Sequence, residues 1–322
     1  MQPDYVQIQP NNALLNWWNS IWDSLNPFTA IARFIRGILQ GFIRDISTFI
    51  FNTLEGQLED FAIRLSAPPQ SWPGFSLVSG IMMGPILTIA GAILAFMITV
   101  DLIQVLIDRN NSADFDASNL FKWIVKSVIM ILIVTHSQLI VYGMFDIGIQ
   151  AINNTTATIG TVVNFGEAQN QIDYMTDQYN EDVEIGTLMA VLALMAIMAL
   201  CVFGLIVCMF LAIFGRFIEI MLIMSVAPIP LATLGNSSFN SMGFNYLKTL
   251  FAATMTGFFF ITAFGIFTAM VGETLYQLDF TTAGGPVWSV VQPLFVVIGH
   301  LILLCFALFK IPNMAKSIFG AT

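Results

Sequence analysis

Arg216 and Glu219 stand three residues apart at the head of a strongly apolar stretch, Arg216–Gly235, which reads RFIEIMLIMSVAPIPLATLG. On a helix that spacing puts a guanidinium and a carboxylate on one face, where they can pair, anchor a helix end at a membrane surface, or gate a passage. Pro228 and Pro230 then interrupt the stretch. Each proline removes a backbone donor, clashes with the preceding turn and pushes the residue before it out of the helical region. Hydrocarbon offers no replacement partner, so freed backbone groups have to be met by neighbouring helices or by a water-filled cavity. Arg216, Glu219, Pro228 and Pro230 are therefore candidates for the gate or lining of a channel, the alternative being a proline-kinked structural helix with an interfacial anchor.

Other reactive residue types form no constellation. His136 and His300 each sit alone within an apolar run. An ionisable residue inside a span is a functional candidate, but a neutral histidine packed against a carbonyl is the competing reading. Cys201, Cys208 and Cys305 also lie in apolar runs, with no CxxC or metal-ligand spacing, and read as small packing residues. The sequence contains no GxxxxGK[ST] phosphate loop, no HExxH and no GxSxG. The expectation is a protein with no catalytic, cofactor-binding or metal-binding residues, and not an enzyme.

The elements that would position these residues belong to a membrane. Hydrophobic residues make up 57% of the 322-residue chain and charged residues only 10%, with a mean hydropathy of +0.81. Soluble domains carry about a quarter charged residues. Several long stretches lack Asp, Glu, Lys and Arg for more than the ~18 residues that mark a membrane span. The excess of acidic over basic residues, 20 against 11, argues against a soluble nucleic-acid binder with a basic face. The first basic residue is Arg33, so no charged leader is expected and the spans themselves would direct insertion.

The predicted fold is all-α: a polytopic helical bundle of about five full spans plus one proline-broken re-entrant or half-crossing segment, preceded by an amphipathic interfacial helix. Residues 1–79 form an N-terminal polar segment. Its Trp17, Trp18 and Trp22 suit a membrane–water interface or a partner. Its residues 28–50 place Ile31, Phe34, Ile35, Ile38, Leu39, Phe42, Ile46 and Phe49 on one helical face, with Arg33, Arg36, Gln40 and Arg44 on the other. That period, with a basic polar face, predicts a helix lying on membrane lipid. A shorter polar helix and a loop with Pro68, Pro69 and Pro73 are expected next. Residues 80–322 form the transmembrane domain. Its spans are expected at Ile81–Ile107, Trp123–Ile147, Ile185–Phe214, Phe244–Val271 and Val287–Ile311. Gly80, Gly84, Gly91 and Ala95 in the first could admit a close helix neighbour.

Charge suggests an orientation. The loop at 150–184 carries Glu167, Asp173, Asp177, Glu181, Asp182 and Glu184 with no Lys or Arg. If the broken segment enters and returns on one side, then Arg109, Lys122, Lys126, Arg216, Lys248, Lys310 and Lys316 share the face opposite that loop. Lysine and arginine mark the cytoplasmic side, so the acidic loop is external and the C-terminus cytoplasmic. The N-terminal Arg33, Arg36, Arg44 and Arg64 then fall on the outer side, against the rule. That conflict eases if the amphipathic helix dips, spans or binds outer-leaflet phosphates.

The overall plan resembles the polytopic inner-membrane channel subunit of type IV secretion and conjugation machines, the VirB/TrbL type. The likeness spans Ile81–Gly320 and is carried by order and plan, with the nearest residues in Arg216–Gly235, in GFNYLKTLFAATM at Gly243–Met255 and in FKIPNMAKSIFG at Phe309–Gly320. No long hydrophilic extension of the kind some members carry follows, and none of its roles is expected. The resemblance implies a bacterial inner-membrane subunit of a translocation channel that assembles as a homo-oligomer with other secretion-system subunits, and that passes DNA or protein delivered by separate ATPases. Two other readings stand beside it. A secondary transporter or ion channel uses discontinuous helices, although the sequence suggests neither a second broken segment nor an internal repeat. A non-conducting scaffold of a membrane complex needs none of these features.

Overall fold

The computed structural model describes residues 27–109, 117–160, 185–236, 238–276 and 288–321, and every regular element among them is helical. The Trp17, Trp18 and Trp22 cluster, residues 161–184 of the acidic loop and residues 277–287 of the last turn lie outside the described residues.

The first helix, α1, runs over Pro27–Ser66 without stopping at residue 50. Leu39, Ile43, Ile50, Leu54, Phe61 and Leu65 are buried along one stripe, while Phe34, Ile35, Ile38, Phe42 and Phe49 face outward. The single apolar face expected from sequence is thus two faces, one against protein and one free. The polar helix and loop expected after residue 50 begin later. Pro69–Ser71 forms one tight turn, and Trp72 folds back into the bundle, stacked on Phe217 at 4.2 Å with its indole N–H donating to the Ala67 carbonyl at 3.1 Å.

Phe75–Ile81 (α2) and Leu87–Arg109 (α3) are joined by a π-helical turn, Met82–Ile86. Pro85 lies inside that turn. The wider turn lets the chain pass a residue that has no N–H to give, so the rod continues instead of breaking. Ala117–Thr135 (α4) and Ser137–Gly160 (α5) meet at His136 with a bend of 67°. The second expected span is therefore two helices at an angle. Next comes Ile185–Ser225 (α6), then one turn at Pro228–Ala232 (α7), then Asn240–Tyr276 (α8) and Trp288–Ile318 (α9).

Pairs of contacts give the directions. Phe49 meets Phe203, and Leu65 meets Arg216, so α1 and α6 run parallel. Thr254 meets Arg216 and Tyr246 meets Ile223, so α8 runs against α6. Gly148 faces Thr254 and Ile159 faces Gly265, so α5 runs with α8. Lys316 reaches Glu219, and Phe319 packs on Phe251. The five helices α1, α5, α6, α8 and α9 share one buried core. A second, smaller core holds Ala90, Leu94, Met130, Val134 and Ala232, where the α3–α4 hairpin closes on α7. Four helical stretches are long and apolar enough to cross a membrane, and a fifth if the bent α4–α5 pair counts as one span. The chain is a polytopic helical membrane bundle.

Between helices in lipid, burial of apolar surface supplies little, because the tails are as apolar as the side chains; close packing supplies more. The α5–α8 seam follows that rule. A Cβ added at Gly257 would stand 2.7 Å from the Arg216 guanidinium nitrogen and also against Ile152. We expect Gly257→Ala to displace the guanidinium or part the seam, at a cost of about 1–3 kcal/mol. Thermal melting of the purified protein checks this, with Gly272→Ala, where nothing lies within 4 Å, as the control. Equal melting of the two variants would contradict the packing described.

Candidate functional site

Arg216 lies on the α6 face that meets α1 and α8, and it is 5% exposed. Its two terminal nitrogens donate to the carbonyls of Leu65 at 3.4 Å and Thr254 at 3.2 Å. Its Nε is buried without a partner. The glycine at 257 makes the room: α8 approaches with no side chain at the point where the guanidinium lies. A buried charge is ordinarily paired with an opposite one. Here two backbone dipoles stand in for the carboxylate.

Glu219, one turn on, does not supply that carboxylate. It pairs with Lys316 of α9 at 2.6 Å, and both side chains are partly exposed. The i, i+3 pairing open to Arg216 and Glu219 is replaced by two separate engagements, one tying α6 to α1 and α8, the other tying it to α9.

The prolines act further along. The expected broken segment divides: Arg216–Ser225 is the last part of α6, and only Pro228–Ala232 is set off as α7. Proline is tolerated at the first positions of a helix because its missing N–H would be unpaired there anyway. Pro228 opens α7, and the Pro230 carbonyl accepts the Thr233 hydroxyl at 2.8 Å. The chain then turns back into α8, whose first turn packs against that carbonyl and the Leu234 side chain through Gly243. Ala227, Pro228, Leu231 and Ala232 are buried, so the broken turn is an internal element wedged against α3 and α4.

A polar clasp holds the wedge. Asp101 of α3 is 8% exposed. One of its carboxylate oxygens accepts from Lys126 Nζ of α4 at 2.6 Å, the other from Asn236 Nδ2, just after α7, at 2.8 Å. Asn236 Oδ1 in turn accepts the Ser238 amide at 2.9 Å. Asp101 thus closes the α3–α4 hairpin onto the residue that follows α7. The sequence contains a signal for this. Asp101 and Lys126 are nearly equidistant from the middle of the connection at 110–116, and such residues come close to each other across an antiparallel hairpin.

Arg33, Arg36 and Arg44 lie on α1 far from Arg216, toward the end of the bundle where α6 begins; Arg33 and Arg44 are exposed and Arg36 half-buried. His136 fits the bland reading: its Nδ1 lies 3.0 Å from the Leu132 carbonyl. His300 keeps a buried Nδ1 with no partner. The three cysteines are free thiols, half-buried on α6 and α9. Among the described residues no group of three metal-ligating side chains converges.

The family described as TrbL/VirB6 plasmid conjugal transfer like protein matches residues 54–228, more than half of the chain. That range runs from the middle of α1 to Pro228 and includes Arg216, Glu219 and the Asp101–Lys126 pair. No curated protein and no solved structure matches.

Proposed function

Because the chain belongs to the TrbL/VirB6 plasmid conjugal transfer-like family, we propose that it forms part of the translocation path of a type IV secretion machine across the cytoplasmic membrane. Family membership makes it a multi-pass bacterial membrane subunit of a conjugal transfer complex. The further claim, that it lines or gates the path, rests on one observation: Arg216 is buried at the junction of three helices, hydrogen-bonded to two backbone carbonyls and, among the described residues, to no carboxylate. An arginine at the centre of a membrane helix costs roughly 2.5–3.5 kcal/mol to insert. A pure scaffold gains nothing that a methionine would not provide. A moving path that carries charged substrate gains a fixed cation.

In this reading α5, α6, α8 and α9 cross the membrane and α1, which is not among the stretches apolar enough to cross by themselves, crosses packed against them, while the α3–α4 hairpin with α7, although Phe75–Ile107 is long and apolar enough to span, forms the half-crossing element at the end holding Lys122, Lys126 and Lys316. Helix α1 crosses alongside α6, so Arg33, Arg36 and Arg44 meet outer-leaflet headgroups near one end of a crossing helix, and do not lie along a surface. The C-terminus is cytoplasmic. The partners are further copies of the chain, sibling subunits, separate ATPases, and DNA or protein in transit.

Thiol labelling from each side of the membrane tests the topology. With Cys201, Cys208 and Cys305 replaced, single cysteines at Asn111 and Asn180 should label from opposite sides, Asn180 from outside. A cysteine at Gln70, in the turn after α1, should label with Asn111. Labelling of Gln70 with Asn180 would make α3 the crossing helix and α1 an interfacial one. Labelling of Asn111 and Asn180 from one side would exclude both arrangements.

The function itself is tested by deletion. Transfer should be lost in a strain without this chain and restored by supplying it. Normal transfer in the deletion strain would remove the chain from the path, and solute flux in a strain without other secretion subunits would favour a transporter.

A further inference from the structure

The outward faces of α6 and α9 are apolar, with Leu200, Phe210, Leu222, Leu303 and Phe306 all more than half exposed. All three cysteines of the chain lie on these two helices, Cys201 and Cys208 on α6 and Cys305 on α9. The two helices pack along each other, and all three half-buried thiols lie against the main core. One contact sets the register of the seam. Lys316 reaches Glu219 at 2.6 Å, near the C-terminal ends of both helices. The helices run parallel, because α8 runs against α6 and α9 returns along α8, bringing Phe319 onto Phe251. Cys305 follows Cys208 by the same number of residues as Lys316 follows Glu219. Each cysteine stands about three full turns before its member of that pair. The two thiols therefore share the face of the ion pair and stand at one level of the seam. A second observation agrees: Cys305 interacts directly with the Cys208 side chain, and with Cys201 only electrostatically. Cys201 is two turns from Cys208, ~10 Å along the helix axis. That exceeds the ~4.4–6.8 Å between Cα atoms that a disulfide spans.

We propose that Cys208 and Cys305 form a dithiol site that a lipid-soluble thiol oxidant closes into a disulfide, tying α9 to α6. The site is a property of the α6–α9 seam and is independent of any transfer role. Both thiols lie within the candidate spans Ile185–Ala232 and Leu294–Ile318, bordered by exposed Val207, Leu211, Ile302 and Phe306. An oxidant thus arrives through hydrocarbon, where a charged reagent pays a heavy cost. With an apolar disulfide as oxidant, the first thiol attacks one of its sulfurs, forms a mixed disulfide and expels a thiol. The second thiol then attacks the protein sulfur of that mixed disulfide and expels the other half. Each protein proton goes to a departing sulfur. The protein loses two hydrogens and two electrons, and the oxidant becomes two thiols.

The test uses the full chain in isolated membranes, with a protease site inserted after Leu278 so that cleavage separates α6 from α9. The apolar probe is 2,2′-dithiodipyridine and the charged one is oxidised glutathione. After the apolar probe and cleavage, the two fragments should stay joined on a gel without reductant and separate with it. Joining should survive Cys201→Ala and be lost in Cys208→Ala and in Cys305→Ala. On the unaltered chain, mass spectrometry of the digested product should find Cys208 joined to Cys305 and no other pair. The apolar probe should join the fragments at least about tenfold faster than oxidised glutathione, relative to their ratio at a free thiol in water. Fragments that separate without reductant after the apolar probe would make the cysteines packing residues only. A bond through Cys201 would overturn the register. Equal relative rates with the two probes would show that the site faces water and overturn access through lipid. The membership of the chain in the transfer machine is untouched by these results and fails only if deletion leaves transfer intact.

Discussion

Replacing Arg216 with Met should leave a protein that inserts, accumulates and assembles at least as well as the original, yet transfers substrate at least about tenfold less, a coupling of ~1.4 kcal/mol. The physical reason lies in what the arginine touches. Its donors go to two backbone carbonyls, one within α8 at Thr254 and one in the last turn of α1 at Leu65, where Pro68 and Pro69 have no N–H to give, so removing it frees a carbonyl at the end of α1 but strands no buried carboxylate. Replacing a buried, incompletely compensated charge by an apolar side chain of similar volume is often neutral or stabilising. Stability and transfer should therefore move apart, and no structural role for Arg216 predicts that. Arg216→Lys keeps the charge but cannot span both carbonyls with one planar group, so its transfer should be intermediate. Accumulation in membranes and transfer frequency, measured on the same cultures, check the pair. Coincident loss of both in Arg216→Met would make Arg216 a folding residue.

Pro228→Ala combined with Pro230→Ala should have the second largest effect. Proline in a helix interior costs about 3 kcal/mol relative to alanine, so alanines remove the obstacle to a continuous helix from α6 through residue 232. A straight helix would carry Ala232 out of the small core it shares with Leu94 and Met130, and would draw Asn236 away from Asp101. The α3–α4 hairpin would lose its wedge while the main core stayed intact. Transfer should fall sharply at normal accumulation, and the chain should become more sensitive to protease at the 110–116 connection. If transfer and cleavage both stay at the original level, α7 is only a kink in a structural helix.

How much of this could be read in the sequence depends on the distance over which each contact acts. The membrane class, the helical content and the proline break follow from local composition and local sterics, so Ile185–Ser225 and Pro228–Ala232 were legible, although not the point at which one gives way to the other. The reach of α1 was misjudged because an amphipathic stripe looks the same against lipid as against protein. Leu39 and Phe42 belong to one predicted face, yet one is buried and the other exposed. Arg216 was singled out, but its partner at Leu65 lies 151 residues away in sequence and is a backbone atom, which no residue type announces. Pairing with Arg216 was one of the roles open to Glu219 from their spacing on one helix, and the fold brings it Lys316 instead. The polar side of α5 was hidden inside an apparent loop region, because Asn153, Asn154 and the threonines that follow look like a helix end until α1 and α8 are placed beside them.

The central claim is that substrate passes along this chain. A photo-crosslinking amino acid at Asn153, with a matched one at Leu200, would test it most directly when activated during transfer in intact donor cells. Asn153 should capture substrate in transit, and the adduct should disappear in Arg216→Met. Leu200 should capture no substrate. An assembled, transferring complex in which neither Asn153 nor any other α1–α5–α8 position ever captures substrate would contradict the account.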